Sequence, residues 1–316
     1  MPDRLTTLLG IDVPVVQAPI GNAATPALAA AVSNAGGLGM LSLSWSGTEQ
    51  IRRLISATRA ASQRPFGANF VLEWPQQERL RVALDEGIRI ISTFWGNPAG
   101  YVGTVHEAGG IVIHTVGSLG DAAAAVAAGV DVLVAQGIEA GGHVHGVTPL
   151  HDLLRQIRAA FPDTPLIAAG GIADGRDVQA ARAAGAAGVW SGTRFVCATE
   201  ADAAEIYQQM IIGANAGDTV MTTLFSRGWP DAPHRVLRNS TLRAAEEGGQ
   251  DPGTLSADII ARTDRGSPIE RYAFALPTRR MTGNLEAMAL YAGQSVARIH
   301  DVRPAGDIVR SLAVAA

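Results

Sequence analysis

Residues 111–136 read IVIHTVGSLGDAAAAVAAGVDVLVAQ. A short apolar run, Ile111–Thr115, gives way to an alanine-rich stretch, Leu119–Ala128, then Ala128-Gly129 and a second apolar run, Val132–Gln136. Continuous β-branched runs suit parallel strands covered by helices, and a glycine just past a helix accepts the left-handed conformation that closes it. The same unit extends both ways. Strand-like runs are expected at Val13–Gln17, Leu38–Leu41, Phe66–Phe70, Ile88–Thr93, Leu166–Ala169 and Gly188–Ser191. Helical patterns are expected at Pro26–Asn34, Thr48–Ala61, Gln77–Glu86, Pro98–Ala108, Leu150–Ala160, Arg176–Ala184 and Ala201–Met210. Ala-Gly also closes the segments at Ala35-Gly36, Ala108-Gly109 and Ala184-Gly185. Eight strand–helix pairs point to a closed (β/α)8 TIM barrel rather than an open doubly wound sheet. The first strand leads into Ala18-Pro19-Ile20-Gly21-Asn22, not GxGxxG, which argues against a dinucleotide-binding Rossmann domain.

Beyond Ile211 the pattern breaks at Gly217–Thr219 and again at Trp229-Pro230-Asp231-Ala232-Pro233. The expected organisation is a barrel over residues 1–211, a smaller, mostly helical unit over 212–293, and a terminal segment, 294–316, whose helix at Pro304–Ala313 returns to the barrel.

Composition narrows the chemistry. A chain of 316 residues with 47% hydrophobic content can bury a large core. A net charge of −4 implies no polyanion surface, so nucleic acid is not an expected partner. The start, MPDRLTTLLG, lacks the apolar core of a secretory signal, and no run is long enough to span a membrane, so a cytoplasmic protein is expected. All 25 basic residues are arginine, since the sequence holds no lysine. Schiff-base aldolases, pyridoxal-phosphate enzymes and Walker-type ATPases all need a lysine and are excluded. The one cysteine, Cys197, excludes an intrachain disulfide and any multi-cysteine metal site, and no metal is expected.

In a barrel, the loops after the strands form the site. The sixth runs Gln136-Gly137-Ile138-Glu139-Ala140-Gly141-Gly142-His143-Val144-His145-Gly146. Glycines before His143 remove side-chain bulk, so the imidazole can approach a flat ligand, and its near-neutral pKa suits a general base. Glu139 is placed either to orient that ring or to stabilise the loop. Gly170 and Gly171 follow the seventh strand, and Gly192 and Thr193 the eighth. Glycines here, each leading into a helix, offer backbone N–H groups to one phosphate, as a mononucleotide or sugar phosphate would need. Arg194 is placed to add charge or to pair with an acid on the rim. Substrate size is expected to depend on aromatics of the second unit such as Phe225, Trp229 and Tyr291.

The blocks Gln17-Ala18-Pro19-Ile20, Asn34-Ala35-Gly36-Gly37-Leu38-Gly39, Gly67-Ala68-Asn69-Phe70, Glu139–His143, Ala169-Gly170-Gly171-Ile172 and Gly192-Thr193-Arg194-Phe195 occur in this order. In this the chain resembles the nitronate monooxygenases, formerly 2-nitropropane dioxygenases. The likeness runs from Ile11 to Thr199, with a weaker echo at Gly283–Ile308. It implies an FMN cofactor beside Ala18, Pro19 and Ile20. Asn69 and Gln136 would bond the isoalloxazine edge or ribityl chain. Gly141 lies in the catalytic loop against the cofactor, while Gly170, Gly171, Gly192 and Thr193 hold the phosphate. His143 matches the catalytic base, and the implied reaction turns nitronates or nitroalkanes, with O2, into a carbonyl compound and nitrite. The chain departs from the family at Val144-His145-Gly146, where two residues rather than one separate the histidine from the next glycine.

Competing expectations are an FMN-dependent NAD(P)H reductase of the enoyl-acyl-carrier-protein or quinone type, and a non-catalytic flavin scaffold. An inosine-monophosphate dehydrogenase would need its cysteine near strand six, whereas Cys197 comes after strand eight. Oligomeric state is open, a homodimer included.

Overall fold

The computed structural model describes residues 4–248 and 258–314. Eight parallel strands form one sheet: β1 Val15–Gln17, β2 Gly39–Ser42, β3 Phe66–Val71, β4 Ile90–Phe94, β5 Ile111–Val116, β6 Val132–Gln136, β7 Leu166–Ala169 and β8 Gly188–Ser191. Neighbours keep chain order, and β8 pairs with β1 in the register Val15↔Val189. A parallel bridge between Val16 and Leu38 closes the last gap, so the sheet is a barrel. The closure and the helices outside it are those of the expected TIM architecture.

The helices begin and end where their local chemistry directs. Thr25 Oγ1 accepts from the Leu28 N–H ahead of a proline at the first helical position, and Ser118 caps Leu119–Ala127 through the Asp121 N–H. Gly36, Gly109, Gly129 and Gly185 all take positive φ, as the Ala-Gly endings predict.

Alternation along the strands divides the core in two. Val112 and Val116 pack outward against the helices. Ile113 points inward to a second cluster with Met40, Ile90, Val134, Ile167 and Trp190. Leu5 and Leu9 of the short helix Arg4–Leu9 join that inner cluster and plug its lower end. With its bottom filled, the barrel interior opens toward the C-terminal ends of its strands.

Residues 212–293, expected to be mostly helical, are built differently. Their described part contributes the strands Thr219–Thr222, His234–Leu237, Ile259–Arg262, Pro268–Glu270 and Thr282–Gly283 against one α-helix, Ser240–Gly248, and residues 249–257 lie outside the described residues. Short charged segments suggest helix surface, but Thr219–Thr222 pairs with His234–Leu237 and Ile259–Arg262 turns back in a short hairpin onto Pro268–Glu270. His234–Leu237 also pairs with a barrel loop: Gly142–His143 runs antiparallel to it, His143 opposite His234. Helix Ala305–Ala313 packs its buried face of Ala305, Ile308, Val309 and Leu312 into the outer core of the barrel.

Candidate active site

One cavity of about 390 Å³ opens at the C-terminal ends of the strands, and all eight strands reach it. Ala18, Ser42, Val71, Phe94, Thr115, Gln136, Ala169 and Gly192 mark their arrivals in order. Every residue expected to hold the cofactor or act as base lies on its wall: Ala18, Pro19, Ile20, Asn69, Gln136, Gly141, His143, Gly170, Gly171, Gly192 and Thr193. Among the described residues, no aspartate, glutamate or arginine joins them.

The loop carrying His143 is held from three sides. Gln136 donates from Nε2 to the His143 carbonyl at 3.1 Å, and its Oε1 accepts from the His145 N–H at 3.3 Å. Its amide therefore braces the loop, a use that the family likeness did not suggest. Glu139 resolves toward loop support: its carboxylate accepts from the Leu150 N–H at 3.0 Å, at the start of helix Leu150–Ala160. Arg235, buried, donates from Nη2 to the Ile138 carbonyl at 2.9 Å from the opposite side. Gly141 sits where a Cβ would lie 2.4 Å from the Gly293 nitrogen, so only glycine lets this loop and residues 292–293 meet.

His143 stacks on Trp229, with ring centroids 3.9 Å apart and planes 23° from parallel. Its Nε2 is buried with no hydrogen-bond partner among the described residues. Burial, helped by nearby His234, lowers the His143 pKa to about 3, so the ring is neutral at physiological pH. His234 is fixed by accepting from the Phe225 N–H at Nε2, with Nδ1 2.9 Å from the Ala232 carbonyl. His145 points elsewhere, pairing with Asp121 at 3.3 Å and resting on Trp95. His114 is buried within β5 beside Thr93, 2.8 Å from its hydroxyl, and burial lowers its pKa to about 4.

The two glycine loops lie side by side, joined by Ser191 Oγ donating to the Ile172 carbonyl at 2.8 Å. Gly170 and Gly171 take φ of 110° and 71°, and a Cβ on Gly170 would press within 3.1 Å of the Ala140 nitrogen. The helix after Gly171, Gly175–Ala183, has its first N–H groups taken by the Asp174–Asp177 capping box. Arg298 ties that box to the Gly171 carbonyl at 2.8 Å. The open donors are thus those of the loops rather than of this helix start. After β8 a single turn, Thr193–Val196, begins on the wall, and Thr193 Oγ1 accepts from the Gly293 N–H at 3.0 Å. Asn69 donates from Nδ2 to Ser92 Oγ at 3.1 Å. Arg194 is buried and pairs with Asp301 at 2.9 Å, so its charge serves the rim and not the cavity.

Of the three aromatics named from the second unit, Trp229 and Tyr291 line the cavity, whereas Phe225 packs into a separate small core. Sequence reasoning missed Trp45, Tyr207 and Phe274, which also line it. They sit in irregular or helical segments with no motif around them, and no local signal marks them.

A closed barrel whose cavity at the strand ends is lined, among the described residues, by no acid or arginine but by a neutral buried imidazole and a glycine cradle has the outline of a (β/α)8-barrel enzyme. A family model described as nitronate monooxygenase matches residues 3–78 and 72–314, and the chain belongs to that flavin-dependent family. It is similar to the nitronate monooxygenase of Pseudomonas aeruginosa, 32% identical over 99% of this chain and 98% of that protein. Among solved structures it matches FabK from Thermotoga maritima at a TM-score of 0.84 and 32% identity, covering 99% of this chain and 95% of that one. It also matches nitroalkane oxidase from Streptomyces ansochromogenes at 0.81 and 29%, covering 98% and 96%. No helix among the described residues is long and apolar enough to cross a membrane.

Proposed function

We propose that this enzyme oxidises alkyl nitronates, and neutral nitroalkanes after deprotonation, with O2 to a carbonyl compound and nitrite, using FMN and His143 as base. The observation that carries it is the placement of His143, its Nε2 left without a partner, on the same cavity wall as the glycine cradle of the seventh and eighth loops.

The residues present fit FMN. Side chains at Gly170, Gly171 and Gly141 would crowd backbone or twist it into disfavoured φ, which keeps the wall thin where a planar ring and a phosphate must lie close. Loop N–H groups near Gly171, Gly192 and Thr193 would hold the phosphate, and Asn69 and the second N–H of Gln136 would face the ring or ribityl chain. Ala18, Pro19 and Ile20 would flank the ring without competing hydrogen bonds. When bound, FMN would supply electron transfer from the nitronate to O2.

The protein's own contribution is to one proton and to its surroundings. A neutral imidazole on the cavity wall, with a ring nitrogen unspent, can accept the α-proton of a nitroalkane. A nitronate forming opposite the ring would favour the imidazolium and raise its basicity when it is needed. Stacking on Trp229 fixes the ring plane, and the Gln136, Glu139 and Arg235 bonds fix its height. An anionic nitronate arrives already deprotonated and asks less of His143.

The test combines the visible spectrum of the purified protein with nitrite release from small nitronates. His143→Ala is expected to keep FMN and lose most turnover of neutral nitroalkanes, anionic nitronates being less affected. Unchanged turnover removes His143 from the mechanism. Rapid anaerobic bleaching of the flavin by NADH or NADPH would favour a reductase instead.

A further inference from the structure

The chain has five tryptophans, and four of them cluster beside one edge of the cavity, Trp45 and Trp229 lining it and Trp74 and Trp95 packed behind. Trp45 comes after β2, Trp74 after β3 and Trp95 after β4, and Trp229 belongs to the second unit. Trp74 meets Trp229 edge-on at 5.1 Å and Trp45 at 5.9 Å, and Trp95 meets Trp229 at 5.1 Å. Phe274 closes on Trp45 at 5.6 Å. Trp74 and Trp95 pack with Val71, Trp229 and Ala232 in a small core of their own, but Trp45 is 45% exposed and stands outside that core. Trp95 even takes φ of 62°, a conformation that bulky residues rarely hold without compensation. Gly228 completes the edge: a Cβ there would lie 2.4 Å from the Phe274 ring, so glycine is what admits that ring.

We infer that this edge is an aryl-recognition subsite, and that the substrate is a nitronate bearing an aromatic group on its nitronate carbon. The inference rests on the proposed function and names the substrate class within it. Trp229 stacks on His143, and Trp45 and Phe274 stand on the same wall, so the reacting carbon and the aromatic surface are neighbours. Among the described residues the wall carries no arginine to hold a carboxylate or a phosphate ester on the substrate. Offset and edge-to-face ring contacts reward an aryl group beyond what its buried area alone would give a small alkyl group.

The experiment uses the FMN-loaded protein and two readouts. The first is kcat/KM for the nitronates of nitroethane, 1-nitrohexane and phenylnitromethane, in the wild type, Trp45→Ala and Phe274→Ala. Phenylnitromethane nitronate is expected to be preferred over ethyl nitronate by about tenfold, a ratio that collapses toward unity when a ring is removed. The second is calorimetric binding of nitrobenzene, which has no α-hydrogen and cannot form a nitronate. It is expected to weaken by about tenfold in Trp45→Ala. Nitrobenzene binding that depends on Trp45, without oxidation of any nitronate, keeps the subsite and sinks the proposed function. Oxidation of ethyl nitronate with no aryl preference, or a preference that survives both substitutions, overturns the subsite and leaves the function standing. Preference for the hexyl over the phenyl substrate overturns it too.

Discussion

Acidification from pH 7 to pH 5 should weaken the fold through two buried imidazoles. His114 has a folded pKa of about 4 against an ordinary value of 6.5, because burial penalises its charge. A depressed histidine binds a proton in the unfolded chain before it does so in the native one. Stability is therefore full above the unfolded value and is lost as pH falls below it. Linkage between 6.5 and about 4 gives a loss of about 2 kcal/mol for His114 over this interval. His143, with a folded value of about 3, adds a similar amount. Asp174 and Asp301 are also held below their ordinary value of 3.8, Asp174 by the Asp177 and Arg176 N–H groups and Asp301 by Arg303, against the opposing effect of burial. Their contributions persist above that value and are lost beneath it, outside this window. The assay is urea denaturation at both pH values and one fixed FMN concentration, on the wild type and His114→Gln. Stability of the wild type should fall by about 2 kcal/mol more than that of the variant. Equal pH slopes in the two proteins would refute the account of His114 as a buried neutral group.

Close packing sets two further outcomes. Gly141→Ala places a Cβ 2.4 Å from the Gly293 nitrogen and 2.5 Å from the Ala292 carbonyl carbon, where neither backbone can yield cheaply. It should cost about 1–3 kcal/mol and lower FMN retention, measured by thermal unfolding and by the flavin-to-protein absorbance ratio; a variant with unaltered stability would show that loop six and residues 292–293 are not in register. Cys197, fully buried and pushed up to about 12 by that burial, should resist a disulfide-exchange reagent at pH 8 in the native protein and react once urea unfolds it. Fast labelling without denaturant would contradict its placement.

The barrel was legible because its signals are local. Runs such as Val132–Gln136 and Leu166–Ala169 bury both faces and so read as continuous apolar segments, with strand ends matching those in the structure. The Ala-Gly helix closures lie within a few residues of the turns they make. The position of the candidate site came from the same source, because a barrel of this kind gathers the loops after its strands at one mouth. That is why His143, Gly170 and Thr193, far apart in sequence, share one wall.

Features beyond local reading depended on contacts between distant segments. The strands of residues 212–293 are too short to declare themselves, and pairing decides them: His234–Leu237 becomes a strand by joining Thr219–Thr222 and the His143 loop. The family likeness assigned Gln136 to the cofactor, but only the folded chain places its amide on the backbone of residues 143 and 145. Burial and His234, both supplied from across the fold, make the His143 ring a neutral one. The aromatic edge is the clearest case, since Trp45, Trp74, Trp95 and Trp229 come from four separate loops. Sequence determined the barrel and the residues at its mouth, because those depend on periodicity and turn chemistry. Tertiary structure alone decided the charge state of His143 and the aromatic wall beside it, because both depend on side chains that distant segments bring together.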